Sequence, residues 1–245
     1  DAVVVNSSQE YNEAIKFGIS KDKVHLIPVG IDIDKFNFNR KFEDKNKKDI
    51  NLLFVGGVTR NRPLLPILKA IKLINENQNG KKEKIVKLTI IGSEYRSSFS
   101  VKLGHINELK SYVNANNLQN EVEFYPHKTQ SELVNFYKKA DIFVYLSEYE
   151  SFGQPLLEAA ASGLPVICSD VGIARDIFES EWIIENKNNS NYNYNKSTNT
   201  EEDVVNIIVN KIIKLFDISL RQKVGERNKE KIKWHKHEKL AHYAS

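Results

Sequence analysis

The sequence predicts an α/β fold, a doubly wound parallel sheet, on three observations. Short apolar runs rich in Ile, Val and Leu recur from Asn51 onward. Segments with the 3–4 spacing of amphipathic helices separate them. Within the runs apolar residues follow one another instead of alternating with polar ones, as strands covered on both faces require.

In chain order, "DAVVVNSSQEYNEAIKFGI" reads as a strand and a helix, followed by "KVHLIPVGID". "NLLFVGG" is a buried strand, and "LLPILKAIKLI" (64–74) carries the apolar face of a helix. Then come strand "KLTIIG", helix "INELKSYVNANN", strand "VEFY", helix "SELVNFYKKA", strand "IFVYLS", helix "PLLEAAAS" and strand "PVICSD". Residues 203–216 and 218–240 read as helices, the second strongly basic. Right-handed crossovers place ligands beyond the carboxyl ends of such strands. That puts "VGG", "IIGS", "EFYPHK" and "LSEYESFGQ" on one rim. Three polar stretches, 39–49, 75–84 and the Asn-rich 185–203, read as solvated loops, and no internal repeat is visible.

With 245 residues the chain has enough length for a substantial core. Its 40% hydrophobic and 28% charged content is ordinary for a globular protein. No apolar run approaches the ~18–20 residues that span a bilayer. The net charge of +4 is a mild excess that permits contact with anionic ligands or lipid head groups. Basic and acidic residues are interspersed, so no nucleic-acid stripe stands out. The single cysteine, Cys168, fits a reducing compartment and lies in "PVIC" as a buried thiol. The start at Asp1 and the absence of methionine suggest part of a longer chain.

The chemistry concentrates in "ESFGQPLLEAAASGLPVICSD" (150–170). Pro155 suits a first helical position, and Gly163 suits the residue just past a helix end. The short helix between them opens after Gly153 and Gln154, so its unpaired N–H groups make an anion site that Gly153 lets a ligand approach. Glu150 precedes this loop and Glu158 sits one turn inside the helix. On the order of 10 Å can separate the two carboxylates, about the span of a diphosphate with a sugar at each end. Either carboxylate can accept hydrogen bonds from a vicinal diol. On spacing alone an equally good account has Glu158 favouring the helix N-terminus and Glu150 as a surface charge.

"LSEYESFGQPLLEAAASGLPVICSDVG", with Ser147, Glu150, Phe152, Gly153, Glu158, Gly163, Pro165 and Gly172, resembles retaining glycosyltransferases of family 4. These have two facing Rossmann-like domains, the GT-B fold. "HLIPVGIDIDKF", "LLFVGG" and "SELVNFYKKADIFVYLS" extend the resemblance over most of 23–180. It implies that this chain is the C-terminal, donor-binding half. Residues 1–20 would be a remnant of the N-terminal acceptor domain, 21–200 the Rossmann-like nucleotide-sugar domain and 201–245 C-terminal helices.

The resemblance also implies site roles. Glu150 would face the transferred sugar as the catalytic carboxylate, and Glu158 would bind the ribose. The loop Ser151, Phe152, Gly153 and Gln154 would hold the diphosphate through backbone N–H groups. After Gly56, Gly57 stands where the family has an arginine. Arg62 would take the place of the family's lysine, with Arg60 as an additional candidate for the phosphates. Tyr125, His127 and Lys128 would line the base.

The donor, a nucleotide-diphosphate sugar with UDP or GDP, would need no metal or other cofactor. "DID" (32–34) also fits the Asp-x-Asp metal motif of the other glycosyltransferase fold, although "PVGIDIDKF" matches the two-domain family's linker. His235 and His237, spaced i, i+2, make a poor metal pair. The implied setting is cytoplasmic, compatible with peripheral contact at a membrane's cytoplasmic face. A non-catalytic nucleotide-binding module, or a hexosamine epimerase or phosphorylase on the same fold, are the alternatives.

Overall fold

A computed structural model of the chain describes residues 1–42, 48–77, 84–94, 104–185 and 200–232. The first strands and helices are β1 (Val3–Val5), α1 (Ser8–Lys16), β2 (Val24–Leu26) and α2 (Ile33–Phe36). Strand and helix then alternate: β3 (Asp49–Val55), α3 (Leu65–Glu76), β4 (Ile85–Ile91), α4 (His105–Ala115), β5 (Val122–Tyr125), α5 (Gln130–Lys139) and β6 (Ile142–Tyr145). The alternation continues with α6 (Gln154–Ala161), β7 (Val166–Ser169), α7 (Ala174–Ile177) and β8 (Ile183–Ile184). Helices α8 (Glu201–Lys214) and α9 (Ile218–Lys231) complete the order.

Six strands form one sheet in the order β5-β4-β3-β6-β7-β8, parallel throughout. Every residue of β6 and of β7 is buried, as strands with helices on both faces must be. The order reverses direction between β3 and β6, which is where such sheets open a crevice for a ligand. At the carboxyl ends the ladder runs on through two glycines: Gly56 N donates to Ile91 O and Gly92 N to Tyr125 O, both at 3.0 Å. A Cβ on Gly92 would lie 1.8 Å from Gly56 O, so the tips of β3 and β4 close up only around a glycine.

The strands expected from the apolar runs form, and so do the helices between them. Helix α8 begins earlier than expected. Thr200 and Asp203 make a reciprocal capping box that draws Glu201 and Glu202 out of the Asn-rich stretch into helix. Most of that stretch, much of the other two polar stretches, His235, His237 and 233–240 of the basic helix lie outside the described residues.

Strand β2 pairs with β1 in a separate two-stranded parallel sheet. Val5, Ala14 and Val24 form its small core, with Tyr11, Ile15 and Ile19 against it. Beneath the main sheet, Arg40 fixes the helices that carry the site. Its Nε donates to Ser162 O and its Nη1 to Ala140 O, each at 2.8 Å, and Nη2 donates to Tyr137 O. These carbonyls are the orphan acceptors at the C-terminal ends of α5 and α6. Burial lowers the Arg40 guanidinium to about 10, a desolvation cost partly offset by Asp141, and it remains charged at neutral pH.

Candidate active site

Two buried tyrosines hold the two glutamates. On β6, Tyr145 donates its hydroxyl to Glu150 Oε1 at 2.7 Å. Arg62 adds Nε at 2.9 Å and Nη2 at 2.8 Å to the same oxygen, and Ser147 adds Oγ at 3.0 Å. Arg62 Nε also reaches Tyr145 Oη at 3.1 Å. Only 14% of the Arg62 side chain and 13% of the Glu150 side chain is exposed. Solvent screening is therefore weak, and removing either partner would leave the other charge buried and uncompensated. Burial first, and then the Glu150 charge, push the Tyr145 phenol far up, so it stays a donor.

On α5, Tyr137 donates to Glu158 Oε2 at 3.0 Å. Gln154 Nε2 donates to Glu158 Oε1 at 3.0 Å from the exposed start of α6. Glu158 is 3% exposed, and burial raises its carboxyl above the ordinary value of 4.5 against the pull of these hydrogen bonds. The two tyrosines are themselves linked. Tyr137 stacks on Phe143 at 5.7 Å and Phe143 on Tyr145 at 6.0 Å, with Phe54 beyond at 5.6 Å. One aromatic ladder thus sets both carboxylates against the same sheet.

Neither tyrosine stood out in the sequence as a site residue. Their one signal is chemical: a phenol in a buried run needs a partner, and an acidic residue lies within reach of each.

Between the carboxylates lies the loop that opens α6. Gly153 caps the helix at φ 92°, ψ 55°, and Pro155 is the second helical residue. The first N–H groups of a helix have no partner inside it, so α6 presents its positive end here. Phe152 and Gly153 are buried, whereas Ser151 and Gln154 are exposed.

The remaining expected residues divide. Gly56 and Gly57 sit at the tip of β3, adjoining Arg62 through the turn closed by Arg62 N to Thr59 O at 3.0 Å. Arg60 points elsewhere: its Nη2 pairs with Glu108 Oε1 of α4 at 2.5 Å, and both side chains are about half exposed. Tyr125 gives its hydroxyl to Glu123 at 3.0 Å and its ring to Phe136 at 5.1 Å. His127 N donates to Ser93 Oγ at 3.2 Å, which ties the loop after β5 to the loop after β4. Lys128 pairs with Glu132 at 2.9 Å on α5. The structure therefore brings together Arg62, Glu150, the 151–154 loop and Glu158. It leaves Arg60, Tyr125, His127 and Lys128 farther along the rim, engaged with neighbours.

Asp32 and Asp34 open and continue α2, with Asp32 paired to Lys35 at 3.1 Å. Cys168 is buried in β7, where desolvation pushes its thiol up. Among the described residues no group of three or more His, Cys, Asp or Glu is arranged to hold a metal ion. Among them, too, no helix is long and apolar enough to cross a membrane.

A parallel sheet whose order reverses between β3 and β6, with a helix N-terminus and two held carboxylates beside that point, has the layout in which α/β folds bind ligands. The chain belongs to the glycosyl transferases group 1 family, whose model matches residues 35–194. An uncharacterised glycosyltransferase of Methanocaldococcus jannaschii is 29% identical over 192 residues, covering 73% of this chain and 44% of its own length. The D-inositol 3-phosphate glycosyltransferase of Pseudarthrobacter chlorophenolicus is 28% identical over 186 residues, 72% of this chain and 41% of its length. The chain thus spans less than half the length of these curated relatives.

Among solved structures, the pneumococcal O-GlcNAc transferase in complex with UDP and GlcNAc superposes with a TM-score of 0.73. The match covers 98% of this chain and 43% of that one at 17% identity. These structural neighbours are GT-B glycosyltransferases, and the fold is theirs.

Proposed function

We infer that this chain is the donor-binding part of a glycosyltransferase that moves a sugar from a nucleotide-diphosphate sugar to an acceptor. The carrying observation is the pair of glutamates, each fixed by a buried tyrosine, at either end of the α6 N-terminus. The relatives' names and the neighbour solved with UDP and GlcNAc support the same reading.

In this reading the ribose diol displaces the Gln154 side chain and binds Glu158, and Tyr137 keeps the other carboxylate oxygen in place. The diphosphate lies over the loop 151–154, where backbone N–H groups and the helix dipole meet its charge. Glu150 faces the sugar with its Oε2, since the four bonds described above all go to Oε1. Arg62 neutralises Glu150 and lies beside the phosphates; a guanidinium has five donors to divide between them.

The sugar's bond to the diphosphate breaks, the acceptor oxygen bonds to the same carbon on the same face, and the acceptor's proton leaves with the diphosphate. Phosphate charge is met by Arg62 and the helix end, without a metal. UDP- or GDP-sugars are the donors, with the base on the rim near Tyr125, His127 and Lys128. The acceptor approaches across a cleft whose facing wall belongs to a second, N-terminal domain, to which the β1–α1–β2 unit (residues 3–26) contributes.

The test is Glu150→Gln in the full-length enzyme. Turnover should fall at least about 100-fold while nucleotide affinity changes only a few-fold, because a contact made mainly at the reacting sugar acts on kcat. Turnover within a few-fold of wild type would take Glu150 out of the reaction.

A further inference from the structure

The carbonyl side of the loop before α6 is held by a segment outside the main sheet. Ser7 Oγ donates to Ser151 O at 2.9 Å, and the same hydroxyl accepts from Glu10 N at 3.2 Å as the N-cap of α1. Two residues on, Gln9 Oε1 accepts from Gly172 N at 2.6 Å. The next residue, Ile173, donates its N–H to Phe152 O at 3.0 Å. Gly172 has φ 53°, and a Cβ there would lie 2.2 Å from Phe152 O, so the two backbones touch. Ser8 N adds a tie to Asp176 Oδ2 at 3.3 Å. Ser7 is 1% exposed, so water does not compete for its hydroxyl.

A peptide unit is planar and trans, so its N–H points away from its own C=O. The unit carrying the Ser151 carbonyl carries the Phe152 N–H. The unit carrying the Phe152 carbonyl carries the Gly153 N–H. Fixing the two carbonyls on one side therefore fixes the direction of the two N–H groups on the other.

The geometry points to Ser7 and Gln9 as positioning residues that aim the Phe152 and Gly153 N–H groups at the donor's diphosphate. Ser7 acts on the first peptide unit directly. Gln9 acts on the second by holding the turn at Gly172 that supplies the Ile173 N–H. Both belong to the strand–helix unit of the small sheet, so the position of that unit and the aim of the phosphate loop are coupled. The inference rests on the donor-site reading above.

The variants separate aim from fold. Ser7→Ala removes both bonds of the hydroxyl, and Ser7→Thr restores both. Ser7→Asp keeps a side chain that caps a helix but has no proton to donate to Ser151 O. Gln9→Leu removes the acceptor for Gly172 N, and Gln9→Glu restores it. Affinities of the 245-residue chain for UDP and for uridine are measured by NMR titration, with GDP and guanosine and with ADP and adenosine as parallel pairs.

Ser7→Ala, Ser7→Asp and Gln9→Leu are expected to weaken the diphosphate about 5- to 10-fold. Nucleoside affinity should stay at the wild-type level, and Ser7→Thr and Gln9→Glu should regain the diphosphate. Should either Ser7→Ala or Ser7→Asp fail to fold, Gln9→Leu at a half-buried position carries the test. Unchanged diphosphate affinity, or equal loss of diphosphate and nucleoside, overturns the inference while leaving the donor site standing. A wild-type chain that binds no nucleoside diphosphate overturns the donor-site reading and the inference with it.

Discussion

Glu158 is a costly residue for this fold. An ionised carboxyl at 3% exposure has lost nearly all its water and regains a few side-chain hydrogen bonds, from Tyr137, Gln154 and Gln130. Its raised pKa means the native state binds the proton more tightly than the unfolded chain does. Its contribution to stability is thus most favourable below the unfolded-state value, declines as pH rises through the folded one, and stays low at neutrality. Glu158→Gln removes that titration. The variant's melting temperature should gain on the wild type's as pH rises from about 4 to 7. A wild type that gains on the variant over this range would contradict the assignment of cost. The same substitution should weaken a nucleoside diphosphate about 10- to 100-fold by calorimetry, since a charge-assisted acceptor of the diol is lost. Glycine, proline and a short helix drew notice to the two glutamates in the sequence, but spacing alone left their role open and the family resemblance supplied it. Their tyrosines drew none. Tyr137 precedes Glu158 by 21 residues, and a tyrosine inside an apolar run reads as core until its hydroxyl is placed.

At the scale of elements, the apolar runs made β3 through β7 readable, because a strand buried on both faces must be apolar at successive positions. Strand β8 has only two residues and α7 only four, lengths at which periodicity carries no signal. The same holds for the contacts between turns. Gly172 was visible as a motif residue, but its neighbour Phe152 O lies twenty positions away in sequence. Gly172→Ala should cost several kcal/mol and remove nucleotide binding, because the new Cβ meets rigid backbone at φ 53°. Gly18→Ala, at φ 90° with nothing within 4 Å of the Cβ, should cost only about 1 kcal/mol and leave binding intact. Chemical denaturation of the two variants checks the contrast. Equal costs would mean that the turn at 171–173 gives way easily and does not brace the loop.

For the whole molecule, the parallel sheet followed from the alternation of elements, but the pairing of β2 with β1 did not. Strand order depends on which edges meet in space, and a chain that reads strand, helix, strand is compatible with either sheet. The donor contacts proposed here lie in this chain, whereas the chain covers under half the length of its curated relatives. The 245-residue chain should therefore bind a nucleoside diphosphate yet transfer no sugar, because holding two reactants together supplies a large share of the rate. Radiolabel transfer by this chain alone would show that the acceptor site lies within it. A crystal structure of the chain with bound UDP or GDP decides whether the two tyrosine-held glutamates bracket a nucleotide sugar across the α6 N-terminus. The expected result has the ribose hydroxyls on Glu158 with the Gln154 side chain displaced, and phosphate oxygens at the N–H groups of Phe152 and Gly153. A nucleotide bound elsewhere on the sheet, with Gln154 still covering Glu158, would contradict it.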